Sequence, residues 1–176
     1  MSNWTASDIP SQRGRTAIVT GTGGLGFEDA LVLARAGANV IIAGRNPSKG
    51  ACAVDRIRQS VVNANVSFEA VDLASLDSIV TFGERLRSSI GGLDLLINNA
   101  AVMTPPARQV TSDGFELQLG TNYLGHFALT ARLLPLLRKG DTPRVVSLSS
   151  IAARQGAIHF DDLQSQRSYR PMLAYS

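Results

Sequence analysis

Between Val19 and Ala30 the chain reads VTGTGGLGFEDA, with glycines at 21, 23, 24 and 26. Gly21, Gly23 and Gly26 form G-x-G-x-x-G, directly after an apolar run and directly before a segment of helical spacing. Glycines in such a turn permit φ > 0, expose bare backbone N–H groups to an anion, and let the helix pack close to the strand. The positive end of the helix dipole then faces the same anion, as a dinucleotide pyrophosphate requires. Out of context, the motif equally describes a glycine-rich turn that binds nothing; the strand–turn–helix setting favours binding. Glu28 and Asp29 suit the first turn of the helix but not a phosphate, so they are expected to point away from it. A second signal lies in VIIAGRN, residues 40–46. Folds that take NAD place an acid at the end of the second strand for the ribose 2′-hydroxyl. Gly44 stands there instead, and Arg45 follows with a guanidinium able to pair with a 2′-phosphate. The expected cofactor is therefore NADP rather than NAD, with a plain surface arginine as the alternative. His126 and His159 have no metal-ligand spacing around them and are expected to be packed or solvated.

The elements that would position these residues follow a regular rhythm. Residues 16–20, 39–43, 66–73, 93–100 and 144–150 read as strands. Residues 24–38, 46–61 and 75–90 read as helices, the second with Pro47 in its first turn and the third started by Ser75. Residues 112–139 read as a long helical region, bent or divided near its glycines. Strands this apolar are expected to be buried on both faces, with helices above and below. The alternation predicts an α/β fold: a doubly wound parallel sheet of Rossmann type in three α/β/α layers. Residues 1–14 read as a polar N-terminal arm, and 15–176 as one dinucleotide-binding domain.

The 176 residues suffice for one domain with a proper core. The lone Cys52 excludes an internal disulfide framework and fits a reducing compartment. No apolar stretch reaches the roughly 18 residues of a membrane span, and the N-terminus has no signal-peptide core. A soluble, cytoplasmic protein is the expectation. With a net charge of +3 and scattered arginines, nucleic acid is not an expected partner.

The chain resembles the short-chain dehydrogenase/reductase family. WTASDIP, IIAGRNPSKG, VDLASLDSI, DLLINNAAV, TNYLGHFALT, RVVSLSSIA and IHFDDLQSQRSYRPMLAYS are similar to its retinol-dehydrogenase-like branch. The likeness covers nearly the whole chain, with the motifs in order at family spacing. It implies that Gly21, Thr22, Gly23, Gly24, Leu25 and Gly26 line the pyrophosphate. It implies that Asp72, followed by Leu73, bonds the adenine amino group, and that Asn98 braces the strand beside the cofactor, with Ala100 close by. Asn122 would support the active site through a water. Ser150, the second serine of its pair, would hold the substrate oxygen, and Tyr175 would be the acid/base. The residues alone admit plainer roles: Asp72 as a turn former or cap, Asn98 and Asn99 as buried structural amides, Ser149 and Ser150 as loop hydroxyls.

Three departures accompany the likeness. The family pattern T-G-x-x-x-G-x-G is one residue shorter here, as TGTGGLG, and Phe27 stands where the branch commonly has lysine. Ala101 replaces the glycine of NNAG. The family signature Y-x-x-x-K begins at Tyr175 and is cut after Ser176, so the family's last strands and helices are not part of this chain. The implied chemistry is hydride transfer between nicotinamide and a small, lipophilic alcohol or carbonyl. A tyrosine with an ordinary pKa of about 10 would be tuned by a neighbouring ammonium and the cofactor's positive ring. The 176 residues alone are therefore expected to be inactive. A non-catalytic dinucleotide-binding fragment and a sugar-nucleotide epimerase are the alternatives. A homo-oligomer is compatible with the reading.

Overall fold

The computed structural model describes residues 4–176. Five short runs rich in β-branched and apolar residues form one parallel sheet: β1 Thr16–Thr20, β2 Asn39–Gly44, β3 Val66–Ala70, β4 Leu95–Asn98 and β5 Arg144–Ser147. The order across the sheet is β3-β2-β1-β4-β5. The chain winds outward from β1 to β3, then crosses back to β4 on the other side of β1. That reversal opens a crevice at the carboxyl ends of β1 and β4, where open α/β sheets bind ligands.

The helices are α1 Gly24–Arg35, α2 Pro47–Ser60, α3 Leu76–Ser89, α4 His126–Leu137 and the short α5 Pro171–Tyr175. Asn46 and Ser75 start α2 and α3 by accepting the backbone N–H groups of Lys49 and Ser78. Strand alternation sends Ala17 and Val19 to the α1/α2 core, and Ile18 to the α3/α4 core with Phe82, Leu129 and Leu133. Fully burying one such side chain contributes about 1.5–3 kcal/mol.

Burial on both faces holds for β1 and β2, but not for β5, whose four residues are all exposed. Val145 and Val146 point to opposite faces and are 44% and 46% exposed, so neither face of β5 is covered. The long helical region is also subdivided. Residues 112–115 form a turn instead, closed by the Thr111 N–H donating to the Phe115 carbonyl, with Gly114 at φ +85°, and Leu117 and Gln118 begin the helical part. A wide π-helical stretch, Leu119–Gly125, then leads into α4. Its glycines are steric necessities, since a Cβ on Gly120 would collide with Thr111 and one on Gly125 with the Leu73 carbonyl. In the N-terminal segment, Gln12 is buried and its N–H donates to the Ala36 carbonyl at 2.8 Å. Among the described residues, no helix is long and apolar enough to cross a membrane.

Candidate active site

A cleft of about 1070 Å³ runs along the carboxyl ends of the strands. The turns after β1, β2, β3, β4 and β5 all contribute, so residues far apart in sequence meet there. Gly21, Thr22, Gly23, Leu25, Arg45, Asp72, Leu73, Asn98, Ala100, Asn122, Ser150 and Tyr175 all line it. Gly24 and Gly26 do not. Gly24 instead serves the turn, at φ +55°. Gly26 serves packing: a Cβ there would collide with the Asn99 amide and press on the Thr20 carbonyl at 3.1 Å.

The glycine turn fits a pyrophosphate. Gly21 sits at φ +102°, the left-handed region that favours glycine. Gly23 begins α1 without a side chain to cap it, and a Cβ on Gly23 would meet nothing within 4 Å. The first-turn N–H groups of α1 therefore lack a side-chain acceptor, as an anion site requires. Asn98 Oδ1 and Thr121 Oγ1 are buried atoms without a hydrogen-bond partner among the described residues, and both residues line the same cleft. The bare N–H groups of the turn suit a pyrophosphate, and the amide oxygen of Asn98 and the hydroxyl of Thr121 remain to accept from and bond to other groups of a dinucleotide. Neither Glu28 nor Asp29 lines the cleft; partial burial raises the Asp29 carboxyl above the ordinary range. Phe27 is a core residue, 5% exposed, with the Arg56 guanidinium 3.9 Å from its ring centre.

After β2, Gly44, Arg45, Asn46 and Lys49 all border the cleft. Arg45 and Lys49 are exposed, and neither belongs to an ion pair among the described residues. A Cβ on Gly44 would lie 3.2 Å from Thr22 Cγ2, so a larger residue there would press on the glycine turn. Lys49 escaped the sequence reading, although its spacing of four from Arg45 at a helix start was the available signal.

Asp72 is both a turn former and a cleft residue. Its Oδ1 accepts the Ala74 N–H at 2.9 Å, and its own N–H donates to Ser78 Oγ at 2.9 Å. Asn98 braces the sheet: its amide Nδ2 donates to Thr130 on α4 and Ser147 on β5, both at 3.2 Å. Asn122 uses its side chain on the backbone of Val102, accepting its N–H and donating to its carbonyl, both at 2.8 Å. Both hydrogen-bonding groups of the Asn122 amide are thereby engaged with the Val102 backbone. Ser150 Oγ accepts the Ala152 N–H at 3.2 Å and keeps its own proton to donate. Tyr175 closes α5, and this C-terminal segment is held by polar clasps. Gln118 Nε2 donates to the Pro171 carbonyl at 3.1 Å and to the Tyr169 hydroxyl at 3.3 Å, and that hydroxyl donates to the Pro105 carbonyl at 3.1 Å. Gln118 and Glu116 are both buried, with Glu116 accepting the Gln118 and Leu119 N–H groups. Nothing in the local sequence marks either residue.

His126 is packed, as the sequence reading expects, and lies in the cleft wall. Burial holds its pKa below the ordinary histidine value. His159 is exposed, and no cluster of metal-ligating side chains occurs among the described residues.

The short chain dehydrogenase family matches residues 15–161. The chain belongs to that family. Its curated relatives include human polyprenol dehydrogenase, 45% identical over 173 residues, covering 96% of this chain and 52% of the relative. Human retinol dehydrogenase 13 is 45% identical over 164 residues, covering 92% of this chain and 49% of the relative. The retinol-dehydrogenase-like resemblance is thereby borne out, and the chain spans about half the length of these relatives. Among solved structures, an uncharacterized protein from Mycobacterium paratuberculosis is 44% identical with a TM-score of 0.87. The match covers 99% of this chain and 61% of that one. A short chain dehydrogenase from Escherichia coli CFT073, complexed with NADPH, is 26% identical with a TM-score of 0.74. It covers 94% of this chain and 67% of that one. The fold is accordingly the Rossmann-type sheet of this family, without the strands and helices that lie beyond the matched part of the longer relatives.

Proposed function

We propose that this chain is the cofactor-binding part of an oxidoreductase that interconverts a lipophilic alcohol and its carbonyl, using NADP(H). The observation that carries the proposal is the convergence of the glycine turn, Arg45, Asp72, Ser150 and Tyr175 on one cleft. The relatives' names, polyprenol and retinol dehydrogenases, support a lipophilic alcohol. Gly44 and the cations Arg45 and Lys49, in no ion pair among the described residues, support the 2′-phosphate, as does the NADPH-bound relative.

The bound nicotinamide supplies or accepts the hydride; position and protons come from the protein. As a carbonyl is reduced, its oxygen gains negative charge. Ser150, with a hydroxyl proton still available, orients and stabilises that oxygen. Tyr175 delivers the proton, and takes it back in the oxidative direction. Asn98 and Asn122 hold the walls that keep these groups in place.

This chain's two lysines are Lys49 and Lys139. Lys49 borders the cleft after β2, beside Arg45, and Lys139 does not line it, so neither is the lysine of the family signature that follows Tyr175. The 176-residue polypeptide made alone is therefore expected to bind the dinucleotide without turnover. An NADPH-linked assay with long-chain aldehydes tests this, run on the polypeptide and on an extended chain with a lysine four positions after Tyr175. Activity in the extended chain alone supports the reading. Equal activity in both overturns the Tyr–Lys assignment, and activity in neither counts against the enzyme.

A further inference from the structure

His126 is a buried titratable side chain for which the proposed chemistry has no task. It is 6% exposed and lines the cleft. Its Nδ1 lies 3.0 Å from the Asn122 carbonyl oxygen, and its Nε2 lies 2.9 Å from Thr20 Oγ1. A carbonyl only accepts, so Nδ1 carries the proton. The other end requires the same assignment. Thr20 Oγ1 accepts the backbone N–H groups of Asn99 at 2.9 Å and Ala100 at 3.0 Å. With both lone pairs taken, the hydroxyl has only its proton to offer to Nε2. The two ends thus fix one neutral tautomer.

The Asn122 carbonyl lies in the π-helical stretch Leu119–Gly125, one turn before His126 opens α4. The backbone N–H of His126 donates to the Tyr123 carbonyl rather than to that of Asn122. π-helical turns of this kind recur at functional sites.

We propose that His126 is a positioning residue of the cleft, its neutral ring linking Thr20 at the mouth of the glycine turn to Asn122 on the helical wall. Through Thr20 the same link reaches Asn99 and Ala100, so the end of β1, the end of β4 and the wide turn move as one body. The proposal rests on reading the cleft as a dinucleotide site. Loss of the ring nitrogens should spare the fold. The Thr20 hydroxyl has a second acceptor in the Ile97 carbonyl at 3.3 Å, and the Asn122 side chain still holds Val102.

His126→Phe fills the space of the ring without its nitrogens, and tests the link directly. NADPH affinity is measured by fluorescence titration of the parent and the variant, with thermal melting as the check on folding. Nitrogen-15 spectra of the parent's imidazole report the tautomer. The expected result is a folded variant that binds NADPH about tenfold more weakly, the scale of one lost hydrogen bond. A pyrrole-type Nδ1 and a pyridine-type Nε2 are expected in the parent at neutral pH. A folded variant that binds as the parent does would reduce His126 to a space filler and overturn the proposal. A proton on Nε2 in the parent would overturn it whether or not the variant folds. A parent that fails to bind NADPH would remove the dinucleotide reading, and this proposal with it.

Discussion

In the proposed NADP(H) reading, Gly44 and Arg45 act together. A Cβ at 44 would lie 3.2 Å from the Thr22 methyl, so an acid here would crowd the side chain of the glycine turn, whereas glycine leaves that space free. Arg45→Asp should erase or invert the preference for NADPH over NADH. A charge-assisted hydrogen bond of about 1.5–3 kcal/mol corresponds to a roughly tenfold to hundredfold change, read by parallel titrations. Gly23→Val tests the turn. Its φ of −151° suits any residue and its Cβ would meet nothing, so the variant should melt like the parent. Its branched side chain would stand where the pyrophosphate passes, and NADPH binding should fall sharply; unchanged binding would move the cofactor elsewhere. Gly21, Gly23 and Arg45 were legible because a strand–turn–helix pattern gives isolated residues a location. Lys49 was less visible, a polar residue on a helix that reads equally well as solvated surface. The pairing of His126 with Thr20 was invisible, since 106 residues separate them and no periodicity links them.

The wide turn before α4 depends on Gly125, whose missing Cβ makes room for the Leu73 carbonyl. Gly125→Ala should cost about 1–3 kcal/mol by overpacking, seen as a lower urea midpoint. His126 makes this element sensitive to pH. Burial depresses its pKa in the folded state, so the unfolded chain binds more protons between the folded value and the ordinary 6.5. Its contribution to stability is present above 6.5 and is lost as the pH falls through the folded value. The urea midpoint should decline across that window, and His126→Phe should flatten the decline. The sequence conveyed that this region divides at its glycines, but not where. The Ser112-Asp113-Gly114 triplet was a turn signal masked by the apolar spacing around it. A π-helical stretch leaves no periodicity of its own to be read.

Across the whole molecule, the sheet is asymmetric. β1 and β2 are sealed between helices, whereas β5 ends the sheet order with both faces exposed. An uncovered edge invites strand pairing. The 176-residue polypeptide made alone should associate as its concentration rises, and Val146→Lys should reduce this in sedimentation. Apolar runs alone made all five strands look equally buried. Which of them lies at the edge depends on strand order, and that is set by long-range pairing. The central claim is that the cleft at the crossover between β1 and β4 binds NADP(H), and titration of the polypeptide with NADPH and NADH in parallel tests it most directly. The account predicts saturable binding of one dinucleotide per chain, tighter for NADPH. Saturation by neither, or equal affinity for both, would contradict it.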